Sequence, residues 1–201
     1  MLLQNKLKSY KLILASRSPR RRELLGGAGL EFTVADDFEV EEVYPPQMPP
    51  RKVPQYLAEL KSRAYPATLA NDEILITADT VVILDGEILG KPANRNEAIK
   101  MLESLSGREH VVVTGVCLRS KQQRRSFSAV SRVTFRPLSA EEIEYYVDNC
   151  RPYDKAGAYG IQEWIGYVGI RSIRGSFYNV MGLPVEALFT NLAKFTHERV
   201  L

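Results

Sequence analysis

Residues 74–84, Ile-Leu-Ile-Thr-Ala-Asp-Thr-Val-Val-Ile-Leu, limit the fold more than any other stretch of this chain. They are apolar and rich in β-branched side chains, yet well short of the roughly 20 residues that a membrane-spanning helix needs. The run therefore reads as a central strand, or as two collinear strands. Asp79 stands in its middle. A carboxylate inside an apolar strand is costly unless it is paired, hydrogen-bonded or bound to a metal, which makes Asp79 the strongest functional candidate from pattern alone. The competing assignment is a structural Asp that accepts hydrogen bonds from a neighbouring turn.

The opening of the chain fixes the fold class. Lys11–Ala15 reads as a buried strand, Ser18–Gly27 as a helix with Gly29 beyond its end, and Glu31–Ala35 as a second strand, so the first helix is a β-α-β crossover and the class is α/β. Ser18 followed by Pro19 suggests an N-cap with proline at the first helical position, and Arg20, Arg21 and Arg22 follow at once. Free amides, the positive end of the helix dipole and guanidinium groups together suit a phosphate or carboxylate. An ordinary turn with solvated arginines has the same spacing.

Beyond it lies an acidic run, Asp36, Asp37, Glu39, Glu41 and Glu42, closed by prolines at 45, 46, 49 and 50, which reads as a solvated loop able to supply a metal-binding carboxylate. Val53–Ala64 has helical spacing, with Tyr56, Leu57, Leu60 and Ala64 on one face and Lys61 beside it; Pro66 ends it. Asp85-Gly86 marks a hairpin, and Lys91-Pro92 precedes a helix capped by Asn94 or Asn96 and stopped by Gly107. His110–Leu118 and Phe127–Phe135 read as strands. The basic tract 119–125 between them is assigned to a solvated hairpin tip in preference to a nucleic-acid patch, because no aromatic residues interleave with its charges. Ser139-Ala140-Glu141-Glu142 is a capping box, Asp154–Gln162 a glycine-rich loop carrying Lys155, Tyr167–Ile173 a strand, and Pro184 opens a last helix over Val185–Phe195.

Composition excludes several classes. With 27 basic and 24 acidic residues the net charge is only +3, so nucleic acid is not an expected partner and any phosphate chemistry must be local. Cys117 and Cys150 form no C-x-x-C pair, pointing to a reducing compartment without a zinc site. The first ten residues lack a signal-peptide core and no run spans a membrane, so a cytoplasmic location is expected. No G-x-x-x-x-G-K-[ST], G-x-G-x-x-G or G-x-S-x-G is present, and the only histidines are His110, placed as structural, and His197, expected near a solvated end. What remains is an arginine-rich anion turn, one buried Asp, lysines at 61, 91 and 155 and an acidic loop, the parts that polyphosphate hydrolysis uses.

Six blocks resemble the Maf family of nucleoside triphosphate pyrophosphatases, in its order and spacing: Ser16-x-Ser18-Pro19-Arg20-Arg21, Ala78–Val82, Gly90-Lys91-Pro92, Leu105-Ser106-Gly107 with His110 and Thr114-Gly115-Val116, Asp154–Gln162, and Asn179–Pro184. The resemblance implies a single domain over residues 1–201, with an elongated, bent mixed sheet, flanking helices and a cleft between two lobes, and a homodimer as a form members often take. It also implies cleavage between the α- and β-phosphates of a nucleoside triphosphate with a divalent cation, Mg²⁺ or Mn²⁺. On that likeness Asp79 is the general base, or orients the water, and also binds metal; Ser16, Arg20, Arg21, Lys61, Lys91 and Lys155 hold the triphosphate. Glu41 fits the second metal carboxylate best by ungapped distance, with Glu39 and Glu42 close by. The 157–162 block looks like the branch acting on dTTP and UTP, whose specificity positions match Arg20, Thr80 and Gln162. Glu163-Trp164-Ile165 then precede Gly166 where many relatives place a glycine sooner, a departure that bears on the shape of the base pocket. The alternatives are a γ-phosphatase and a non-enzymatic nucleotide- or nucleic-acid-binding regulator of cell division.

Overall fold

The computed structural model describes residues 2–197; Met1, residues 198–201 and the side chain of His197 lie outside the described residues. In chain order the elements are α1 (Leu3–Leu7), β1 (Lys11–Leu14), α2 (Pro19–Gly27), β2 (Phe32–Val34), α3 (Val53–Ala64), β3 (Glu73–Leu84), β4 (Glu87–Leu89), α4 (Arg95–Leu105), β5 (Glu109–Arg119), β6 (Arg124–Phe135), α5 (Ala140–Cys150), α6 (Trp164–Gly169), β7 (Ile170–Arg174), α7 (Phe177–Met181) and α8 (Val185–His197). The strands bond in the order β2-β1-β3-β5-β6-β7, with β4 on β3. β1 is parallel to both its neighbours, whereas β3–β4 and β6–β7 are antiparallel, so this is an α/β chain with a mixed sheet. No helix among the described residues is long and apolar enough to cross a membrane. Two compact units divide the chain: Met1–Asp79 with Thr114–Ala129 and Gly182–Leu201, and Thr80–Val113 with Val130–Met181.

In the first unit the β-α-β opening forms as its pattern requires. Leu12 pairs with Phe32 on one side and Ile74 on the other, and Leu14 with Val34 and Ile76. Leu12, Leu14, Leu25, Ile74, Leu75 and Ile76 are all buried. The buried face of α3 differs from the expected one: Val53, Pro54, Leu57, Ala58 and Ser62 go inside, while Tyr56 and Leu60 are half-buried and Ala64 is exposed. The cause lies on β5. A Cβ at Gly115 would come within 2.2 Å of Gln55 N, so the bare glycine lets the start of α3 press against the strand and rotates its inward stripe. The short α1, buried through Leu3 and Leu7, carries too few residues to announce itself in sequence.

In the second unit Asp85 and Gly86 turn the chain with φ of 51° and 88°, the pair of left-handed residues that a two-residue hairpin turn needs. Asn94, not Asn96, caps α4 by accepting from the Glu97 amide, and Ser139 with Glu142 makes the full capping box on α5. The strand expected over 167–173 is instead α6 followed by β7. Gly166 allows this: it packs onto the Ile161 carbonyl with no room for a Cβ, and its amide bonds to Glu163 O at 2.9 Å, which starts the helical turn and leaves Tyr167 and Val168 exposed.

His110 belongs to the core of this unit. It is 1% exposed, lies tilted against Phe135 and edge-on to Tyr159 with ring centroids 5.4 Å from each, and shares a 2.7 Å hydrogen bond with the Tyr159 hydroxyl. Burial lowers its pKa from 6.5 to about 4. As pH falls below 6.5 the unfolded chain takes up a proton that the native ring refuses until about pH 4, so stability declines across that window, by up to about 3 kcal/mol. Urea titrations from pH 7 to 4 should show this slope, and His110→Gln, with no proton to gain, should flatten it.

Candidate active site

At the end of β1 the chain turns into α2 by way of residues 15–18. Ala15 still bonds Ile76 O at 2.9 Å, which seats the turn beside the middle of β3. Ser18 occupies the N-cap position of α2 but makes no side-chain capping bond; its amide donates instead to Ser16 Oγ at 3.2 Å. The expected Ser18 cap is therefore replaced by a Ser16 turn, because Ser16 Oγ also accepts from Arg21 Nη1 at 3.3 Å and so serves two donors. Arg21 does not swing into solvent. It donates from Nε to Gly182 O and from Nη1 to Ala78 O, both at 2.8 Å, tying the start of α2 to the middle of β3 and to Gly182, three residues before α8.

Asp79 is one residue beyond that anchored carbonyl. It is 8% exposed, and its Oδ1 accepts from Lys61 Nζ at 2.6 Å. Lys61, one turn from the C-terminus of α3, bonds a second carboxylate, Glu42 Oε1, at 2.9 Å. Burial pushes the Asp79 carboxyl above the usual aspartate range, against the opposing pull of Lys61 and Arg21. A carboxylate more basic than a surface Asp, with two cations beside it, suits a group that orients or deprotonates water.

Ser16, Arg21, Lys61 and Asp79 are thus brought together in the first unit, and Arg20 lies half-buried in the first turn of α2. Glu39, Glu41 and Glu42 of the acidic loop are all exposed, and of the three it is Glu42 that meets Lys61. Sequence distance alone does not separate neighbours in a loop without periodicity; only the ion pair does. The remaining candidates belong to the second unit. Thr80 is half-buried on β3 and Lys91 is exposed just before α4. Gly90 O accepts from the Gly157 amide at 3.0 Å, which ties the Lys91 segment to the glycine-rich loop. Lys155 is 8% exposed and ion-paired with Asp154 and Glu163, and Gln162 Oε1 is buried. Among the described residues no group of three or more His, Cys, Asp or Glu could hold a metal by itself.

A family profile described as Maf-like protein matches residues 11–195. The chain belongs to the Maf family. Two relatives are named dTTP/UTP pyrophosphatase. That of Porphyromonas gingivalis is 55% identical over 191 residues, covering 94% of this chain and 96% of the relative. That of Phocaeicola vulgatus is 53% identical over 193 residues, covering 96% of this chain and all of the relative. Among solved structures, a HAM1 protein from Coxiella burnetii superposes with a TM-score of 0.50 at 17% identity, over 92% of this chain and 99% of that one, a likeness of fold alone. Of the residues gathered around Asp79, Ser16, Arg21 and Asp79 itself lie in the blocks that resemble the family, whereas Lys61 and Glu42 lie outside them.

Proposed function

We infer that this Maf protein is a nucleoside triphosphate pyrophosphatase that cleaves the α–β anhydride of dTTP and UTP to the monophosphate and pyrophosphate. The observation that carries the reading is the Lys61 ammonium shared between Asp79 and Glu42 beside the arginine-anchored turn of Ser16. In the proposed reaction Asp79 orients the attacking water and takes its proton. Lys61 holds Asp79 ionised and in place, and Ser16, Arg20, Arg21 and Lys91 offer hydrogen bonds and positive charge to the phosphate oxygens. The base preference is assigned to Arg20, Thr80 and Gln162, where an amide can both donate to and accept from a pyrimidine edge.

The donor set suits Mg²⁺ or Mn²⁺. Such ions bind through one or two carboxylates plus substrate phosphates, and Asp79 and Glu42 are two carboxylates converging on one cation already. A bound divalent ion would neutralise charge on the phosphates. EDTA should stop turnover, with Mg²⁺ or Mn²⁺ restoring it. Glu42→Gln should raise the metal concentration needed for half-maximal rate about tenfold or more, the scale on which even a residue supporting a metal ligand weakens the metal, and Glu39→Gln and Glu41→Gln should leave it near the parent value. If Glu41→Gln has the larger effect, the metal carboxylate is Glu41. The reading as a whole is tested by kcat/KM for dTTP, UTP, ATP and GTP with Mg²⁺. The two pyrimidine nucleotides should lead, and a preference for GTP would refute the base assignment.

A further inference from the structure

The glycine-rich loop of the second unit is closed by a buried chain of polar contacts that the reaction above does not use. Lys155 Nζ bonds Asp154 Oδ1 at 2.7 Å and Glu163 Oε1 at 3.0 Å. The Asp154 side chain is 59% exposed and that of Glu163 only 24%, so Glu163 is the inner partner. The other Glu163 oxygen accepts a short hydrogen bond from the Tyr146 hydroxyl, on a fully buried ring of α5. That hydroxyl in turn accepts from the Gly160 amide at 2.9 Å. Glu163 and Gly160 therefore meet at one phenol, and Lys155 closes the segment on the other oxygen of the same Glu163 carboxylate. Gly160 has to be glycine for this closure, since a Cβ there would come within 2.8 Å of Glu163 Cδ and 3.0 Å of Lys155 Cε.

Lys155 Nζ is buried and already engaged by two carboxylates, Asp154 and Glu163, so a phosphate oxygen there would have to displace one of them. What the closed loop does present is Gln162, the residue next to the inner carboxylate, whose Oε1 is buried and makes no hydrogen bond to any described residue. A buried amide carbonyl without a partner is expensive unless a ligand supplies one.

We propose that Lys155, Glu163 and Tyr146 are positioning residues, a buried clasp that closes the 155–163 loop and aims the Gln162 amide at the edge of a pyrimidine, and that Lys155 is not a phosphate ligand. The proposal rests on the pyrimidine reading above for its choice of substrate, and on the loop geometry for the rest.

The test compares Lys155→Met, Glu163→Gln, Tyr146→Phe and the double variant Lys155→Met/Tyr146→Phe with the parent. Three quantities are measured: kcat/KM for UTP against CTP, inhibition by inorganic tripolyphosphate, and hydrogen exchange of the 155–163 amides. Each single variant should lose about tenfold in UTP-over-CTP discrimination, the scale of a mispositioned hydrogen bond, with the double variant no worse than the worse single. The Gly160 amide should exchange faster by about tenfold or more in Tyr146→Phe and Glu163→Gln, which are near-isosteric and leave the ring and side-chain volumes in place. Tripolyphosphate inhibition should stay unchanged in all four. The clasp is overturned if exchange at Gly160 is unaltered, or if Lys155→Met weakens tripolyphosphate and both nucleotides alike while the other two variants are silent. A parent enzyme with no preference for UTP over CTP would refute the pyrimidine reading, and the exchange rates would still decide the clasp.

Discussion

Asp79→Asn should lower kcat for UTP by about 10²–10⁴-fold, the usual loss when a positioned base is removed. The amide keeps the volume of the side chain but neither takes a proton nor carries the charge that pairs with Lys61 at 2.6 Å. Folding should survive, because Lys61 retains Glu42 at 2.9 Å and the neighbouring strand residues are apolar core. Rates at saturating UTP and metal, with circular dichroism on the same sample, check both halves. An undiminished kcat removes Asp79 from the chemistry.

Arg21→Lys keeps the charge and should nevertheless be almost as damaging. The guanidinium makes three directed bonds, to Gly182 O, Ala78 O and Ser16 Oγ, which hold the turn after β1 against the strand that carries Asp79. An ammonium on a shorter, flexible stem cannot reproduce a planar fork aimed at two carbonyls. A directed hydrogen bond from a charged donor is worth about 1.5–3 kcal/mol, and loss of the fixed geometry should lower kcat/KM for UTP by about 10²-fold. Denaturant unfolding should show the stability loss together with the kinetic one. A variant with parental stability and rate would mean that Arg21 contributes charge alone.

Much of this is legible in the sequence. The apolar run around Asp79 shows because burial on a strand leaves a compositional trace, and the Ser16–Arg21 turn shows as a strand-to-helix turn rich in arginine, a pattern shared with ordinary solvated turns until the family resemblance is added. Lys61 is legible as a helix residue and, through the family resemblance, as a candidate for holding the triphosphate. That it lies on Asp79 depends on how α3 is rotated, and that rotation is set by Gly115 on β5, some 50 positions away in the chain. Ungapped distance favours Glu41, with Glu39 and Glu42 close by, and the contact of Glu42 with Lys61 is not legible because a loop has no period to assign a face. The clasp on Lys155 was out of reach for the same reason: Tyr146 looks like any core aromatic of an amphipathic helix, and only its hydroxyl on Glu163 and Gly160 sets it apart. The helix α6 replaced an expected strand because an apolar, aromatic-rich run fits either period when it is short.

The most direct measurement of the central claim is the identity of the products when UTP is hydrolysed in the presence of Mg²⁺. Anion-exchange separation of the reaction mixture should give UMP and pyrophosphate in equal amounts, with no UDP at any time point. UDP with orthophosphate would place the cleavage at the γ position, and saturable binding of UTP without turnover would make the Asp79 site a nucleotide sensor; either result contradicts the account.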